Sequence, residues 1–195
     1  MKKIAGRLTI ITLVTMFVGC GVFFAAKEGR WNALDPDNEL STFNPSIDGY
    51  VESGVGWIGD KPTLYALPSS KLILIRFDTG DFPDSVAASY LKLKVNTQPP
   101  NDADLAIHRI IQSWDATISY SLADDPVAFY NGSSVATAKI PASIPVGEDV
   151  LITLTGIYSG DKANLGNGLI VSSSATVQFD SSESGQGPVL LIEPD

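Results

Sequence analysis

The most regular hydrophobic pattern in the chain lies at residues 71–78, which read Lys-Leu-Ile-Leu-Ile-Arg-Phe-Asp. Because side chains alternate between two faces along a strand, residues 72, 74 and 76 share one face, and residues 73, 75 and 77 share the other. Both faces are apolar at the centre of the run, and a polar turn, Thr79-Gly80-Asp81, follows it. The pattern predicts an interior β-strand that is buried on both sides.

Short β-type runs separated by turn signals fill the rest of the chain from residue 45 onward, which is the pattern of an all-β sandwich or barrel. Residues 90–95 alternate most clearly, with Tyr90, Lys92 and Lys94 predicted to face outward and the three apolar residues between and after them inward. The predicted strands are 47–52, 63–66, 72–77, 85–95, 104–110, 117–120, 135–140, 150–154, 168–172, 176–179 and 189–192.

The first 26 residues have the pattern of a targeting segment. Three basic residues, Lys2, Lys3 and Arg7, precede an uncharged and mostly apolar run. That run ends at Phe17-Val18-Gly19-Cys20, which resembles the lipobox of bacterial lipoproteins. In that family the cysteine receives diacylglycerol and becomes the new N-terminus, so the resemblance implies lipidation at Cys20.

Two other interpretations of this segment stay open. Residues 8–26 are long enough to cross a bilayer as a helix, and the basic residues lie on the side that the positive-inside rule requires. A cleaved secretory signal with Cys20 as a bystander is the third. Each of the three exports the domain across the cytoplasmic membrane, and lipidation at Cys20 would hold it in the bacterial cell envelope, facing the periplasm or the exterior.

Residues 1–19 are predicted to be a signal peptide, residues 20–44 a tether and residues 45–195 a single domain.

Net charge and cysteine content restrict the partners and the cross-links that this chain can have. The chain carries a net charge of −9, and without residues 1–19 it has 10 basic and 22 acidic residues, or −12. A negative field of this size repels phosphate backbones, so nucleic acid is not expected as a partner. One cysteine excludes an internal disulfide.

A series of short motifs follows in order along the predicted domain: Asp48-Gly49-Tyr50-Val51, Leu74-Ile75-Arg76-Phe77-Asp78, Tyr90-Leu91-Lys92-Leu93, Trp114 with Thr117-Ile118-Ser119-Tyr120, Phe179-Asp180-Ser181-Ser182-Glu183 and Pro188-Val189-Leu190-Leu191-Ile192. Their order resembles that of the DNRLRE-type domain of bacterial and archaeal surface proteins. The resemblance implies a jelly-roll-like antiparallel β-sandwich, here preceded by the N-terminal hydrophobic signal or anchor helix. Some members of the family are carbohydrate-binding modules, although Tyr120 stands where the family pattern has a second tryptophan.

Carbohydrate-binding faces use aromatic rings that stack on the apolar faces of sugar rings. The candidate residues are Trp57, Tyr65, Tyr130 and Tyr158. Trp57 is the first choice because it lies among Gly54, Gly56 and Gly59, where little else could cover it. Trp114, by contrast, matches a structural tryptophan of the family and is expected to pack at the edge of the core.

Other chemistry-bearing residues have simpler explanations. Arg76 is expected to pair with a carboxylate such as Asp78 or Glu183. A structural calcium site would take its ligands from Asp78, Asp81, Asp180 and Glu183, although aspartates in turns are commonly explained by the turn itself. The single histidine, His108, lies in an apolar strand, and no Gly-x-Ser-x-Gly motif is present, so we expect no catalytic residue and no cofactor.

These observations predict a membrane-anchored, non-catalytic surface lipoprotein that acts as a glycan-binding or adhesion module for a neutral polysaccharide. A structural subunit that docks on an envelope protein partner is the alternative. A polysaccharide-active enzyme is a remote third possibility.

Overall fold

The computed structural model of the chain describes residues 40–83, 86–154 and 165–194. The elements whose full bounds lie within these residues include twelve β-strands, a short α-helix and a 3₁₀ turn. The strands are β1 Ser41–Phe43, β2 Pro45–Glu52, β3 Gly56–Ile58, β4 Thr63–Ala66, β5 Lys71–Phe77, β6 Val86–Thr97, β7 Ala103–Arg109, β8 Ala136–Ile140, β9 Asp149–Leu154, β10 Leu169–Ser173, β11 Val177–Asp180 and β12 Val189–Pro194. The helix, α1, is Tyr120–Ala123, and the 3₁₀ turn is Ser182–Ser184.

The strands form two antiparallel sheets of six strands each. One sheet has the order β3-β2-β5-β10-β7-β8, and the other has the order β1-β12-β6-β11-β4, with β9 also paired to β6. Buried side chains from both sheets form one core, in which Ile73 and Ile75 of the first sheet pack with Leu91 and Leu93 of the second. The prediction of an all-β fold with face-to-face antiparallel sheets is therefore confirmed.

The strand pairing is nested along the chain. The pairs are β4 with β11, β5 with β10, β6 with β9, and β7 with β8. Each pair encloses the next in sequence, and successive pairs alternate between the two sheets. The chain from β4 to β11 thus behaves as one long hairpin folded over on itself.

Strand β5 lies in the interior of its sheet, between β2 and β10, as its sequence predicts. The side chains of Ile73, Ile75 and Phe77 enter the core between the two sheets. Leu72 and Leu74 point the opposite way and are also buried, at 6% and 0% exposure. The strand is therefore covered on both faces, and something outside the sandwich must cover the second face.

The segment between β7 and β8 provides that cover. Ile110, Trp114, Ile118 and Phe129 pack over the outer face of the β5 sheet and form a second buried cluster, which we call the outer cluster. Backbone hydrogen bonds hold the segment together, including one from the Ile111 N–H to the Phe129 carbonyl at 2.9 Å. The domain therefore has a third layer over one sheet.

The strand predicted at residues 117–120 is wrong. The Asp115 carboxylate accepts a hydrogen bond from the Thr117 N–H at 2.8 Å, which closes a turn. The Ser119 hydroxyl then accepts from the Leu122 N–H and caps α1. These side-chain acceptors offer the backbone a local alternative to a strand ladder.

The second sheet begins before residue 45. Ser41–Phe43, at the end of the segment predicted as a tether, forms β1 and pairs with β12. The Phe43 ring packs on Phe82 with centroids 4.4 Å apart, so the chain is attached to the domain at this point. No helix among the residues that the structure describes has the length and apolar content to cross a membrane.

Candidate functional site

An open groove of about 660 Å³ lies beside the ends of β2 and β3, and we call it the aromatic groove. Trp57 on β3 forms one wall, and the 3₁₀ turn forms the opposite one. Its lining residues are Ser46, Ile47, Asp48, Trp57, Ile58, Gly59, Asp60, Lys61, Ala116, Ser182 and Glu183.

The Trp57 ring lies close against two glycines. A Cβ atom added at Gly49 would come within 2.6 Å of the ring, and one added at Gly59 would come within 2.7 Å. The ring also contacts Trp114, with centroids 5.2 Å apart and ring planes inclined by 56°. Trp57 is consequently half-buried and fixed in position, whereas its sequence predicts a ring that little else covers.

Trp114 joins the groove to the outer cluster. Its indole N–H donates to the Asn167 carbonyl at 2.7 Å, and its own carbonyl accepts from the Arg76 guanidinium at 2.8 Å. That guanidinium also lies over the Trp114 ring at 5.4 Å. The prediction that Arg76 pairs with Asp78 or Glu183 is wrong, because its side chain leaves on the outer face of β5, where Trp114 lies. The structural role expected of Trp114 is confirmed.

A buried carboxylate supports the opposite wall. Asp48 is only 3% exposed, and it accepts hydrogen bonds from both the N–H and the hydroxyl of Ser182, the former at 2.9 Å. Burial raises the pKa of Asp48; the two bonds from Ser182 oppose that rise, and the charge of Glu183 adds to it. Asp48 therefore links β2 to the 3₁₀ turn through a group that titrates above its ordinary range.

The 3₁₀ turn is also tied to the chain that follows β3. Ser181 is fully buried, and its hydroxyl donates to the Lys61 carbonyl at 2.6 Å. The Ser181 N–H donates to the Pro62 carbonyl at 3.1 Å. Both walls of the aromatic groove are thus connected to β2 and to the loop after β3, so the groove is preformed.

The exposed rim of the groove is rich in hydrogen-bond acceptors. Asp60 and Glu183 present carboxylates, and Lys61 contributes an ammonium that lies 3.3 Å from the Asp60 carboxylate. Carboxylates accept hydrogen bonds from hydroxyl groups, and an indole face packs against C–H groups. The groove combines both features within one small surface.

Tyr65 lies elsewhere. It is on β4, and its ring contacts Tyr50 at 5.2 Å. The Lys71 ammonium lies 5.0 Å from the Tyr65 ring and 3.1 Å from the Glu52 carboxylate. This residue therefore belongs to a cation–π cluster on the surface and does not line the aromatic groove.

Tyr130 lies at the edge of the outer cluster. It forms a bridge with Ile110, and its ring meets His108 at 4.8 Å. Burial raises the pKa of Tyr130. The structure therefore does not bring Tyr130 and Trp57 into one groove, while Tyr158 and Cys20 lie outside the described residues.

The candidate calcium ligands have local partners. The Asp78 carboxylate accepts from the Gly80 N–H at 3.1 Å, and the Asp180 carboxylate accepts from the Asn96 amide at 2.6 Å. Asp81 is exposed, and Glu183 lines the aromatic groove. Across the described ranges, no three His, Cys, Asp or Glu side chains are grouped as a metal site would require.

A second groove, of about 460 Å³, lies on the other side of Ser182. Its walls include Lys92 and Lys94 on the outer face of β6, and the Lys94 ammonium donates to the Gln186 amide oxygen at 2.6 Å. The outward direction predicted for these two lysines is confirmed. The 3₁₀ turn therefore separates an acidic groove from one that contains two ammonium groups.

Sequence reasoning missed the Asp48–Ser182 contact. The two residues are 134 positions apart, and each belongs to a motif already noted for the family resemblance. An aspartate between the apolar Ile47 and the run Gly49-Tyr50-Val51 is the signal that could have marked Asp48 as buried.

A scan against protein-family models finds no match to the chain, and a search of curated proteins finds none either.

Replacing Gly49 by alanine tests how closely Trp57 is held. The new methyl group would meet the Trp57 ring and the Ile58 carbonyl, so we expect a loss of about 1–3 kcal/mol in the free energy of unfolding. Urea denaturation measures this loss, and tryptophan fluorescence reports the displaced ring.

Gly132→Ala is the matched control, because the nearest atoms to an added Cβ are 3.6 Å away there. We expect that change to stay within about 0.5 kcal/mol. Equal stability of the two variants would contradict the close packing of Trp57 on Gly49.

Proposed function

We propose that this protein is a non-catalytic glycan-binding or adhesion module, and that the aromatic groove is its binding site. The observation that carries the proposal is the position of Trp57. Its ring is half-buried, held by Gly49, Gly59 and Trp114, and it lines a groove whose rim carries carboxylates. A ring fixed before the ligand arrives costs little conformational entropy on binding.

In this proposal the ligand is a neutral sugar. The indole face of Trp57 would cover the C–H face of a pyranose ring, and Asp60 and Glu183 would accept hydrogen bonds from its hydroxyl groups. The acidic rim and the net charge of −9 repel polyanions, which favours uncharged polysaccharide over acidic polysaccharide.

The absence of a histidine at the groove supports a binding role rather than hydrolysis by a serine. The single histidine of the sequence, His108, lies on β7, where its Nδ1 is 2.9 Å from the Asn131 carbonyl oxygen. The Ser182 hydroxyl contacts Asp48 with no imidazole between them. Such a pair lacks the group that activates a serine nucleophile.

We further propose that the domain is a jelly roll of the DNRLRE type. The nested pairs β4–β11, β5–β10, β6–β9 and β7–β8 support this, because a jelly roll is a hairpin of that kind wrapped into two sheets. The resemblance in motif order adds to the support. Fold does not determine ligand, so the binding proposal depends on the groove itself.

The same proposal includes attachment to the bacterial cell envelope through a lipid on Cys20. Its support is the basic, apolar and small-residue pattern of residues 1–20. The residues between the apolar run and β1 are rich in polar and turn-forming types and would act as the tether.

Trp57→Ala tests the binding site. We expect the full-length protein, in detergent, to bind neutral glycans on an array, and the variant to bind at least about tenfold more weakly, because the stacking surface is removed. The affinity is then measured by calorimetry with the best glycan.

Two further variants control this experiment. Glu183→Gln combined with Asp60→Asn removes rim charge without removing the ring, and we expect a smaller loss. Tyr130→Leu removes an aromatic ring outside the groove and should leave binding unchanged. Full binding by Trp57→Ala, or no binding of any glycan by the native protein, would contradict the proposal.

Mass spectrometry of the mature N-terminus tests the anchor. A chain that begins at Cys20 and carries a diacylglycerol mass is the expected result. An intact Met1 would refute lipidation.

A further inference from the structure

The two hydrogen bonds between Ser182 and Asp48 differ in the freedom of their donors. The Ser182 N–H is a fixed donor and occupies one carboxylate oxygen, Oδ2, at 2.9 Å. The hydroxyl contacts the other oxygen, Oδ1, and a hydroxyl can either donate or accept. The direction of the second bond therefore depends on whether Asp48 carries a proton.

When Asp48 is ionised, the carboxylate can only accept, so the Ser182 hydroxyl must donate its proton inward. Its lone pairs then face the aromatic groove, where Ser182 is exposed. When Asp48 is protonated, Oδ1 is the favoured site of the proton, because Oδ2 already accepts the N–H and the serine oxygen beside Oδ1 can accept in turn. The carboxyl then donates to the serine oxygen, and the serine O–H turns away from Asp48 toward the groove, where the Glu183 carboxylate lies 3.4 Å away.

We infer that the ionisation state of Asp48 selects whether Ser182 offers the groove a hydrogen-bond acceptor or a donor, and so regulates which ligand groups the groove accepts. This inference rests on the proposed function of the groove. In the ionised state Ser182, Asp60 and Glu183 all accept, which suits a ligand that presents hydroxyl or amine donors. When Asp48 is protonated, Ser182 becomes a donor, which suits a ligand that presents ether or carbonyl oxygens as acceptors.

The surroundings of Asp48 permit such a change. Glu183 faces it from the 3₁₀ turn, and Asp60 and Lys61 line the same groove from the loop after β3. Across the sheet its β5 neighbour is the apolar Ile75. Burial is the largest influence on the pKa of Asp48 and raises it, with Glu183 acting in the same direction.

The sign of the pH dependence follows from that raised pKa. Folding takes up a proton at Asp48 in the range between its unfolded and folded pKa values. The stability that the protonated form contributes is fully present below the unfolded pKa, and it is lost as the pH rises through the folded pKa. In the same pH range, the hydrogen bond between the Ser182 hydroxyl and Asp48 is expected to reverse its direction.

The first experiment needs no ligand. In the native protein we expect the amide proton and nitrogen of Ser182 to shift in NMR spectra with a midpoint above 3.8, the ordinary pKa of an aspartate. Asp48→Asn should abolish that shift, and Glu183→Gln, which removes the neighbouring carboxyl, should retain it. If the Ser182 amide shifts do not change with pH in this range, the inference is overturned.

The second experiment measures binding. In Asp48→Asn the amide nitrogen donates to Ser182 at every pH, so the variant imitates the protonated state. We expect it to bind the array-selected neutral glycan about three- to tenfold more weakly than the native protein at pH 7. The difference should vanish at a pH below the native midpoint.

Ser182→Ala covers the case in which Asp48→Asn fails to fold. The affinity of Ser182→Ala for the glycan should not change with pH, whereas the affinity of Glu183→Gln should still change. The two proposals can fail separately. A native protein that binds no glycan contradicts the proposed function. Glycan binding that is weakened by Trp57→Ala but does not change with pH contradicts the Asp48 switch alone.

Discussion

Burial of β5 on both faces is the constraint on which the rest of the structure depends. A strand with Leu72 and Leu74 on one face and Ile73 and Ile75 on the other cannot leave either face in water without losing about 1.5–3 kcal/mol for each side chain. One face is covered by the opposite sheet. The other requires the outer cluster, so the long connection between β7 and β8 is part of the core.

The outer cluster in turn supports the aromatic groove. Arg76, the polar residue on the outer face of β5, donates to the Trp114 carbonyl and holds that residue at the edge of the cluster. Trp114 supports the Trp57 ring, which lies over Gly49 of β2. Because side chains alternate along a strand, the neighbouring Asp48 points the other way and meets Ser182. Two adjacent residues of one strand thus support both walls of the groove.

Periodicity was sufficient to predict β5, β6 and most of the other strands, because each buries apolar side chains at a two-residue interval. It failed at residues 117–120, where Asp115 and Ser119 bond to nearby N–H groups, and it missed β3, whose three residues are too few for a pattern. For the groove, the glycines around Trp57 singled out this ring, but its packing on Gly49, Gly59 and Trp114 was not predicted. The Asp48–Ser182 contact was beyond reach, since it joins residues 134 positions apart whose approach depends on the packing of the sheets.

Native-state hydrogen exchange tests most directly whether the outer cluster belongs to the core. The amides of Ile111 and Phe129, which are hydrogen-bonded within the β7–β8 connection, can be compared with those of Leu74 and Ile75 in β5. If two-sided burial holds the domain together, both sets should open with the same free energy, within about 1 kcal/mol, at the value for global unfolding. Fast exchange of Ile111 and Phe129 beside a fully protected β5 would contradict this account.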